Sequence, residues 1–221
     1  MITYSWRTGF DAFGAEEERE VSEMLAAAAS ADAEAGFPAV SLSQAYPDDA
    51  RHLVVRLLPD GRPGHDGTSP VAAYLRVEPD PDGEAATVRY VVRPEFRSRG
   101  ISTLLVEKIG LDPGTWGGIG VSALRVWARG DHPAAQRLAR RFEKAGIRTA
   151  RREWQLLAPL RDSELPPEIS EAVWYDSREH GLRLAVDVED HALARTCRLL
   201  GFRHDRTDIE YTVGPVPAEV T

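Results

Sequence analysis

The chain has 221 residues, and its formal net charge of −8 argues against a broad nucleic-acid-binding surface, which would need clustered positive charge. Its 43% hydrophobic and 28% charged residues are ordinary for a soluble globular domain, and its single cysteine excludes an intramolecular disulfide or a cysteine-based metal cage. No signal-peptide pattern opens the sequence, and no apolar run approaches the ~20 residues that span a bilayer. We therefore predict a cytoplasmic protein with no metal, nucleic-acid or membrane partner.

The first part of the chain alternates between strand and helix patterns. Residues 2–7 predict a first strand, and residues 15–35, rich in alanine and glutamate, predict a helix because an apolar stripe follows helical spacing. Residues 37–50 predict an irregular segment or a short helix. Residues 52–58 and 71–78 predict the second and third strands, each followed by a proline- and glycine-rich turn.

A fourth strand, a cationic turn and a helix come next, in the segment VRYVVRPEFRSRGISTLLVE that starts at Val88. β-branched and aromatic residues predict the strand, Pro94 ends it, and apolar residues from Ile101 onward recur at helical spacing. The first N–H groups of a helix have no internal partner, and Gly100 lets the backbone approach a ligand closely. With Arg97 and Arg99 beside it, this turn predicts an anion site suited to a pyrophosphate.

The remaining chain repeats one pattern. Residues 124–128, 133–145 and 148–160 predict a fifth strand, a helix and a long strand, and the polar residues 162–181 predict a linker. Beyond the linker, a strand, an Asp-His pair, a helix and a Gly-hydrophobe pair recur between residues 182 and 213. This second strand–helix–strand unit cannot cover its own apolar faces, so it must dock on the first unit or on a second chain, which makes a homodimer a hypothesis.

The hexapeptide of the cationic turn resembles the Arg/Gln-x-x-Gly-x-Gly/Ala signature of the GNAT (Gcn5-related) N-acetyltransferases, with Ser102 in place of the usual glycine or alanine. The resemblance implies an α/β GNAT fold with a mixed sheet that is splayed between the fourth and fifth strands. It also implies a site for acetyl-coenzyme A (acetyl-CoA) as co-substrate. The residues to which it assigns this site are Val91, Val92, Arg97, Ser98, Arg99, Gly100, Ile101 and Ser102.

The second unit also resembles this family, because the stretch from Asp190 to Phe202 is similar to the pattern Asn-x-x-Ala-x-x-x-Tyr-x-x-x-Gly-Phe. A chain of two units, the first with this cationic turn and the second with this closing stretch, is similar to the mycothiol synthase family. Members of that family acetylate the cysteinyl amine of a glucosaminyl-inositol thiol. The resemblance implies a shortened relative. Its parts are a GNAT domain (1–161), a linker (162–181) and a partial second GNAT unit (182–213).

No catalytic pair can be assigned from the sequence. The tyrosine position of the family pattern holds Cys197 in the second unit and Leu138 in the first, and Cys197 is more typical of a buried core residue. Tyr90 is predicted to pack rather than to react, and His132 and His191 are predicted to cap helices. Two functions remain open: direct acetyl transfer to a small-molecule amine in a ternary complex, and non-catalytic binding of acyl-CoA or a partner protein.

Overall fold

The computed structural model describes residues 1–9, 13–38, 48–58, 69–159, 165–177 and 179–214. The first elements in chain order are β1 (Ile2–Thr8), α1 (Ala15–Glu34), β2 (Arg51–Leu57), β3 (Val71–Pro79), β4 (Ala85–Val92), α2 (Ile101–Ile109) and β5 (Ala123–Ala128). They are followed by α3 (Pro133–Phe142), β6 (Ile147–Pro159), α4 (Pro167–Ser170), β7 (Trp174–Asp176), β8 (Gly181–Asp187), α5 (His191–Leu199) and β9 (Arg203–Val213).

The strands and longer helices predicted from the sequence are confirmed, with small shifts at their ends. The predicted linker contains the short elements α4 and β7, which the polar composition did not reveal. Most of the segment 37–50, expected to be irregular or a short helix, lies outside the described residues.

All described strands form one mixed sheet in the order β1-β2-β3-β4-β5-β9-β6-β8-β7. The pairing of β4 with β5 is parallel, and the other neighbours are antiparallel. Strand β9 lies between β5 and β6, so that Val213 pairs with Leu124 on one side and Ile147 on the other. The C-terminal strand–helix–strand unit therefore docks on the first unit of the same chain. The boundary proposed at 162–181 and the homodimer stay predictions.

Helices cover the two faces of the sheet unequally. The apolar stripe of α1, including Met24 and Ala28, packs on β2, β3 and β4 on one face. On the opposite face, Ile101 and Leu105 of α2 and Phe142 of α3 pack over the central strands. Helix α5 packs on the same face farther along, where Cys197 contributes to a second cluster with β6 and β8. The α1 face of β5, β9 and β6 has no helix over it within the described part of the chain.

Candidate functional site

Strands β4 and β5 form a gap at the centre of the sheet. They pair only from Ala85 with Ala123 to Val88 with Val126, although β4 continues to Val92. The splay predicted between the fourth and fifth strands is therefore present. Both strands run past their last pair, β4 to Val92 and β5 to Ala128, so they diverge there rather than end.

Main-chain groups of β4 line this gap. The N–H of Arg93 donates to the carbonyl of Ala72 at 2.9 Å, so the main chain at odd-numbered positions faces β3. Because these groups alternate in direction along a strand, the main chain of Tyr90 and Val92 faces the gap. The carbonyl of Val92 accepts from Arg97 Nε at 3.1 Å. The N–H of Val92 is left as a donor directed into the gap.

The predicted anion turn has the expected backbone. Gly100 precedes α2 with φ of 77°, in the left-handed region that favours glycine. The helical ladder starts where the N–H of Leu104 donates to the carbonyl of Gly100 at 2.9 Å. The N–H groups of Ile101, Ser102 and Thr103 therefore precede the first i to i−4 bond and have no acceptor within the helix. Their dipoles and that of α2 make this end of the gap electropositive.

The two arginines of the turn have different surroundings. Arg97 is a clamp, because its Nη1 donates to Asp32 Oδ1 of α1 at 2.5 Å while its Nε holds the end of β4. Arg99 makes no salt bridge with any described residue, and its guanidinium lies 5.7 Å from the centre of the Phe96 ring. Of the two side chains, Arg99 is thus the one available to an incoming anion. The contact between Arg97 and Asp32 was missed by the sequence analysis.

A hydrogen bond fastens the first turn of α2 to β4. The hydroxyl of Tyr90 donates to Ser102 Oγ at 3.1 Å, and burial raises the pKa of Tyr90 to about 12. The phenol thus stays protonated at neutral pH and acts as a donor. Ser102, where the family has glycine or alanine, supplies the acceptor for it. Tyr90 packs in the core, as predicted.

The other predicted site residues support the turn rather than face the gap with polar groups. Val91 is buried under α1, and Ile101 is buried with the core beneath α2. Ser98 adopts φ of 60°, which continues the left-handed turn of the chain before Gly100. The eight predicted residues therefore lie within one segment from the end of β4 to the start of α2, and of the two valines Val92 presents its main chain to the gap.

Residues after β5 form the other side of the gap. His132 precedes α3 and caps it, since its Nδ1 accepts the N–H of Ala134 at 3.1 Å. Its ring centre lies 4.5 Å from that of Phe37. Burial lowers the pKa of His132, an effect that Asp32 opposes and Arg97 reinforces. The end of β5, the turn after β4 and the end of α1 therefore meet around the gap.

The capping predicted for the second unit belongs to Asp190, whose side chain accepts the N–H of Leu193 at 2.9 Å, while His191 is the first helical residue. Cys197 is fully buried in α5, and burial raises the pKa of its thiol. This confirms the prediction of a core cysteine. It also keeps the thiol protonated and enclosed, away from the β4–β5 gap.

Three carboxylates that were not predicted from the sequence lie on the α1 face of the sheet beyond β5, with Glu210 nearest to the gap and Glu153 farthest from it. Glu210 of β9 is the cross-strand neighbour of Trp127, the first residue of β5 beyond its pairing with β4. Asp208 pairs across the strands with Glu153 of β6. Alternation of polar residues along β9 was the signal available, because every second residue from Arg206 to Thr212 is polar or charged.

Charge and burial perturb these carboxylates differently. Asp208 is fully buried, and two donors compensate its charge: it accepts hydrogen bonds from Arg129 Nη1 and from the N–H of Gly130, both at 2.8 Å. Burial raises the pKa of Glu210, the arginines around it oppose that rise, and Glu153 adds to it. A carboxyl group whose pKa is raised in this way is a better proton acceptor near neutral pH than an ordinary surface glutamate.

The described ranges contain neither a membrane-spanning helix nor a metal-binding cluster. No helix there is long and apolar enough to cross a membrane. No three histidine, cysteine, aspartate or glutamate side chains in the same ranges are grouped so that they could hold a metal ion.

Comparison with solved structures identifies the fold. A GCN5-related N-acetyltransferase from Sphaerobacter thermophilus matches with a TM-score of 0.54 and 15% sequence identity, and the match covers 97% of this chain and 96% of that one. The chain therefore has the GNAT fold, as the cationic turn predicted. No protein-family model matches the sequence.

The curated relatives that the sequence resembles are acetyltransferases. The mycothiol acetyltransferase of Nocardia farcinica is 38% identical over 169 residues, which are 75% of this chain and 47% of that protein. The mycothiol acetyltransferase of Rhodococcus jostii is 32% identical over 167 residues, which are 73% and 47% of the two chains. The chain spans about half the length of these relatives. The fold is that of the GNAT acetyltransferases, and the predicted resemblance of the sequence to mycothiol synthases is confirmed.

Proposed function

We propose that the protein transfers an acetyl group from acetyl-CoA to the amine of a small molecule, by direct attack in a ternary complex. The observation that carries this proposal is the gap between β4 and β5, which leads from the exposed N–H of Val92 to the electropositive start of α2 at Gly100. Acetyl-CoA carries a thioester at one end and a pyrophosphate toward the other, so one molecule would contact both ends of this gap.

In the proposed complex, the pyrophosphate contacts the free N–H groups at the start of α2 and the guanidinium of Arg99. The carrier arm then lies along β4 in the gap, and the N–H of Val92 donates to the thioester carbonyl. Such a donor stabilises the negative charge that develops on the carbonyl oxygen when the amine attacks. Val91, Ser98 and Ile101 hold this backbone in place through their packing and their turn geometry.

The acceptor amine is proposed to approach over the α1 face, where Glu210 lies beside the gap. An attacking amine must lose a proton, and the raised pKa of Glu210 suits it to receive that proton through an intervening water. The new bond joins the amine nitrogen to the acetyl carbon, the carbon–sulfur bond breaks, and the thiolate leaves with the coenzyme. We propose an acceptor of the amine-bearing thiol-conjugate class, as the names of the relatives suggest.

Non-catalytic binding of acyl-CoA is the alternative, and one feature favours it. Leu138 and Cys197 occupy the tyrosine position of the family pattern, and the phenol of Tyr90 is engaged with Ser102. If no side chain protonates the departing thiolate, water must do so, or transfer fails. Binding alone therefore does not establish the proposed reaction.

The test is titration calorimetry with acetyl-CoA, followed by an assay for free thiol release with a panel of small amines. We expect micromolar binding that weakens about tenfold in Arg99→Ala, since one charge-assisted contact is lost. Arg195→Ala is the control, because that arginine is exposed on α5, away from the gap, and makes no salt bridge with a described residue. Binding with no thiol release for any amine would favour the non-catalytic alternative, and no binding would refute both.

A further inference from the structure

Helix α3 separates the gap from a second groove. Its Arg141 pairs with Glu107 of α2 at 3.0 Å, so this flank of α3 faces α2. The opposite flank, with Gln136 and Arg140, faces a groove of about 730 Å³ whose floor is formed by β6 and β9. That volume lies within the range of small-molecule sites in proteins, roughly 300–1,000 Å³. We refer to it as the α3–α5 groove.

Three arginines, Arg148 among them, line the α3–α5 groove and make no salt bridge within the described ranges. The other two are Arg140 of α3 and Arg152 of β6. Tyr211 of β9 lines the same groove. Burial and Asp131 raise the pKa of Tyr211, whereas Arg152 and Arg140 oppose this rise. The phenol makes no hydrogen bond within the described residues, and it lines the groove together with both arginines.

Acidic groups in the groove do not neutralise these arginines. Asp131 is engaged by Gln136, whose Nε2 donates to its Oδ1 at 2.6 Å. Glu143 lines the groove at the C-terminal end of α3. In a chain with a formal net charge of −8, three arginines without a salt-bridge partner among the described residues indicate a preference for an anion.

An aromatic region adjoins Arg140 and Arg152. Trp154 lies on the floor of the groove and also lines a neighbouring cavity of about 250 Å³, together with Arg198 and His204. The ring centres of His191 and His204 lie 6.5 Å and 6.3 Å from that of Trp154. An indole beside imidazole and guanidinium groups provides stacking surfaces for a flat ring.

From this arrangement we propose that the α3–α5 groove binds a nucleotide, separately from the coenzyme. Arg140, Arg152 and the hydroxyl of Tyr211 would hold its phosphates, since arginine donates to phosphate oxygens in a planar fork. The base would lie against Trp154 and His204. The proposal does not depend on acetyl transfer, because α3 and the Arg141–Glu107 pair separate this groove from the β4–β5 gap.

The test is titration calorimetry with ADP, carried out once without coenzyme A and once with coenzyme A at saturation. We expect ADP to bind in both titrations, and to bind about tenfold more weakly in Arg140→Ala and in Arg152→Ala. Both side chains are exposed, so these variants should keep the fold. Arg137→Ala, on the same helix but outside the groove, is the matched control and should bind ADP as the native protein does.

Inorganic pyrophosphate tests the aromatic half of the site. His204→Ala should weaken ADP binding and leave pyrophosphate binding unchanged, because pyrophosphate has no ring to stack. Loss of ADP binding at saturating coenzyme A would assign the nucleotide to the β4–β5 gap and overturn the proposal. Unchanged affinity in the Arg140→Ala/Arg152→Ala double variant, or no ADP binding at all, would overturn it as well.

Discussion

The guanidinium of Arg97 lies 2.5 Å from the carboxylate of Asp32, and this contact ties α1 to the turn where the proposed coenzyme site begins. The same side chain donates to the carbonyl of Val92 at 3.1 Å. One arginine thus fixes the end of β4, the turn and the far end of α1 relative to one another. Arg97 acts on the site through this positioning, while Arg99 remains available to a ligand.

Asp32→Asn should loosen this arrangement. The side chain of Asp32 is 14% exposed, and a hydrogen bond between charged groups in such a place contributes about 1.5–3 kcal/mol. We expect the free energy of unfolding in urea to fall by about that amount and acetyl-CoA affinity to fall with it. Glu23→Gln is the control, because its pair with Arg19 is about 60% exposed and should contribute less than ~1 kcal/mol. Equal effects of both substitutions would contradict the special role of Asp32.

Gly100→Ala should reduce coenzyme binding. A Cβ there meets no atom within 4 Å, so the fold accommodates it, but φ of 77° strains any L-residue by about 1–2 kcal/mol. The methyl group would also occupy space at the proposed position of the pyrophosphate. Gly83→Ala is a matched control, with φ of 72° and equally open surroundings in the turn between β3 and β4. We expect similar losses in melting temperature from both variants and loss of acetyl-CoA affinity from Gly100→Ala alone.

Tyr90→Phe should weaken acetyl-CoA binding but should not remove a catalytic proton donor. The hydroxyl donates to Ser102 Oγ, a bond that contributes about 1 kcal/mol to the stability of the folded state. We expect a higher KM for acetyl-CoA with kcat nearly unchanged, and a similar result for Ser102→Ala. The double variant should raise the KM for acetyl-CoA no more than either single change does, because both substitutions remove the same hydrogen bond. A fall in kcat of about 10²-fold would instead identify Tyr90 as the proton donor.

The pH dependence of transfer tests Glu210. A general base works when deprotonated, so the rate should fall as the pH drops through the pKa of Glu210, which burial raises above its ordinary value. Glu210→Gln should lower kcat by about 10²-fold or more and remove this acid limb. Glu95→Gln, at an exposed carboxyl whose pKa is lowered, should leave the profile as it is. An acid limb that persists in Glu210→Gln would exclude this residue as the base.

Cys197→Ala should leave activity intact, because the thiol is buried in α5 and away from the gap. Removing one buried sulfur from a packed cluster should cost about 1–2 kcal/mol in the free energy of unfolding. Loss of turnover in a variant that remains folded would show instead that Cys197 takes part in transfer.

The turn was predictable because its determinants are contiguous. Pro94 ends a strand, Gly100 permits a left-handed turn and apolar spacing begins a helix, all within one segment. The clamp between Arg97 and Asp32 was not predictable, since 65 residues separate the two partners. Nothing in the local sequence of either residue indicates the other.

The carboxylates beside the gap were missed for a related reason. Glu210 and Glu153 lie on strands that are distant in sequence, and alternation predicts which face a side chain occupies but not which strand will be its neighbour. Residues 148–152 of β6 are exposed and largely charged, because β8 pairs with β6 only from Glu153 onward. The order of strands in the sheet was therefore the information that the sequence did not contain.

The position of β9 between β5 and β6 has a consequence for synthesis on the ribosome. Thr212 donates to the carbonyl of Leu124, 88 residues earlier, so β5 emerges long before its neighbour exists. Until β9 has been translated, β5 and β6 each present an unpaired edge to which another chain can add. We therefore expect the nascent chain to bind chaperones while these edges are unpaired. It should release them once β9 has left the exit tunnel and inserted between β5 and β6.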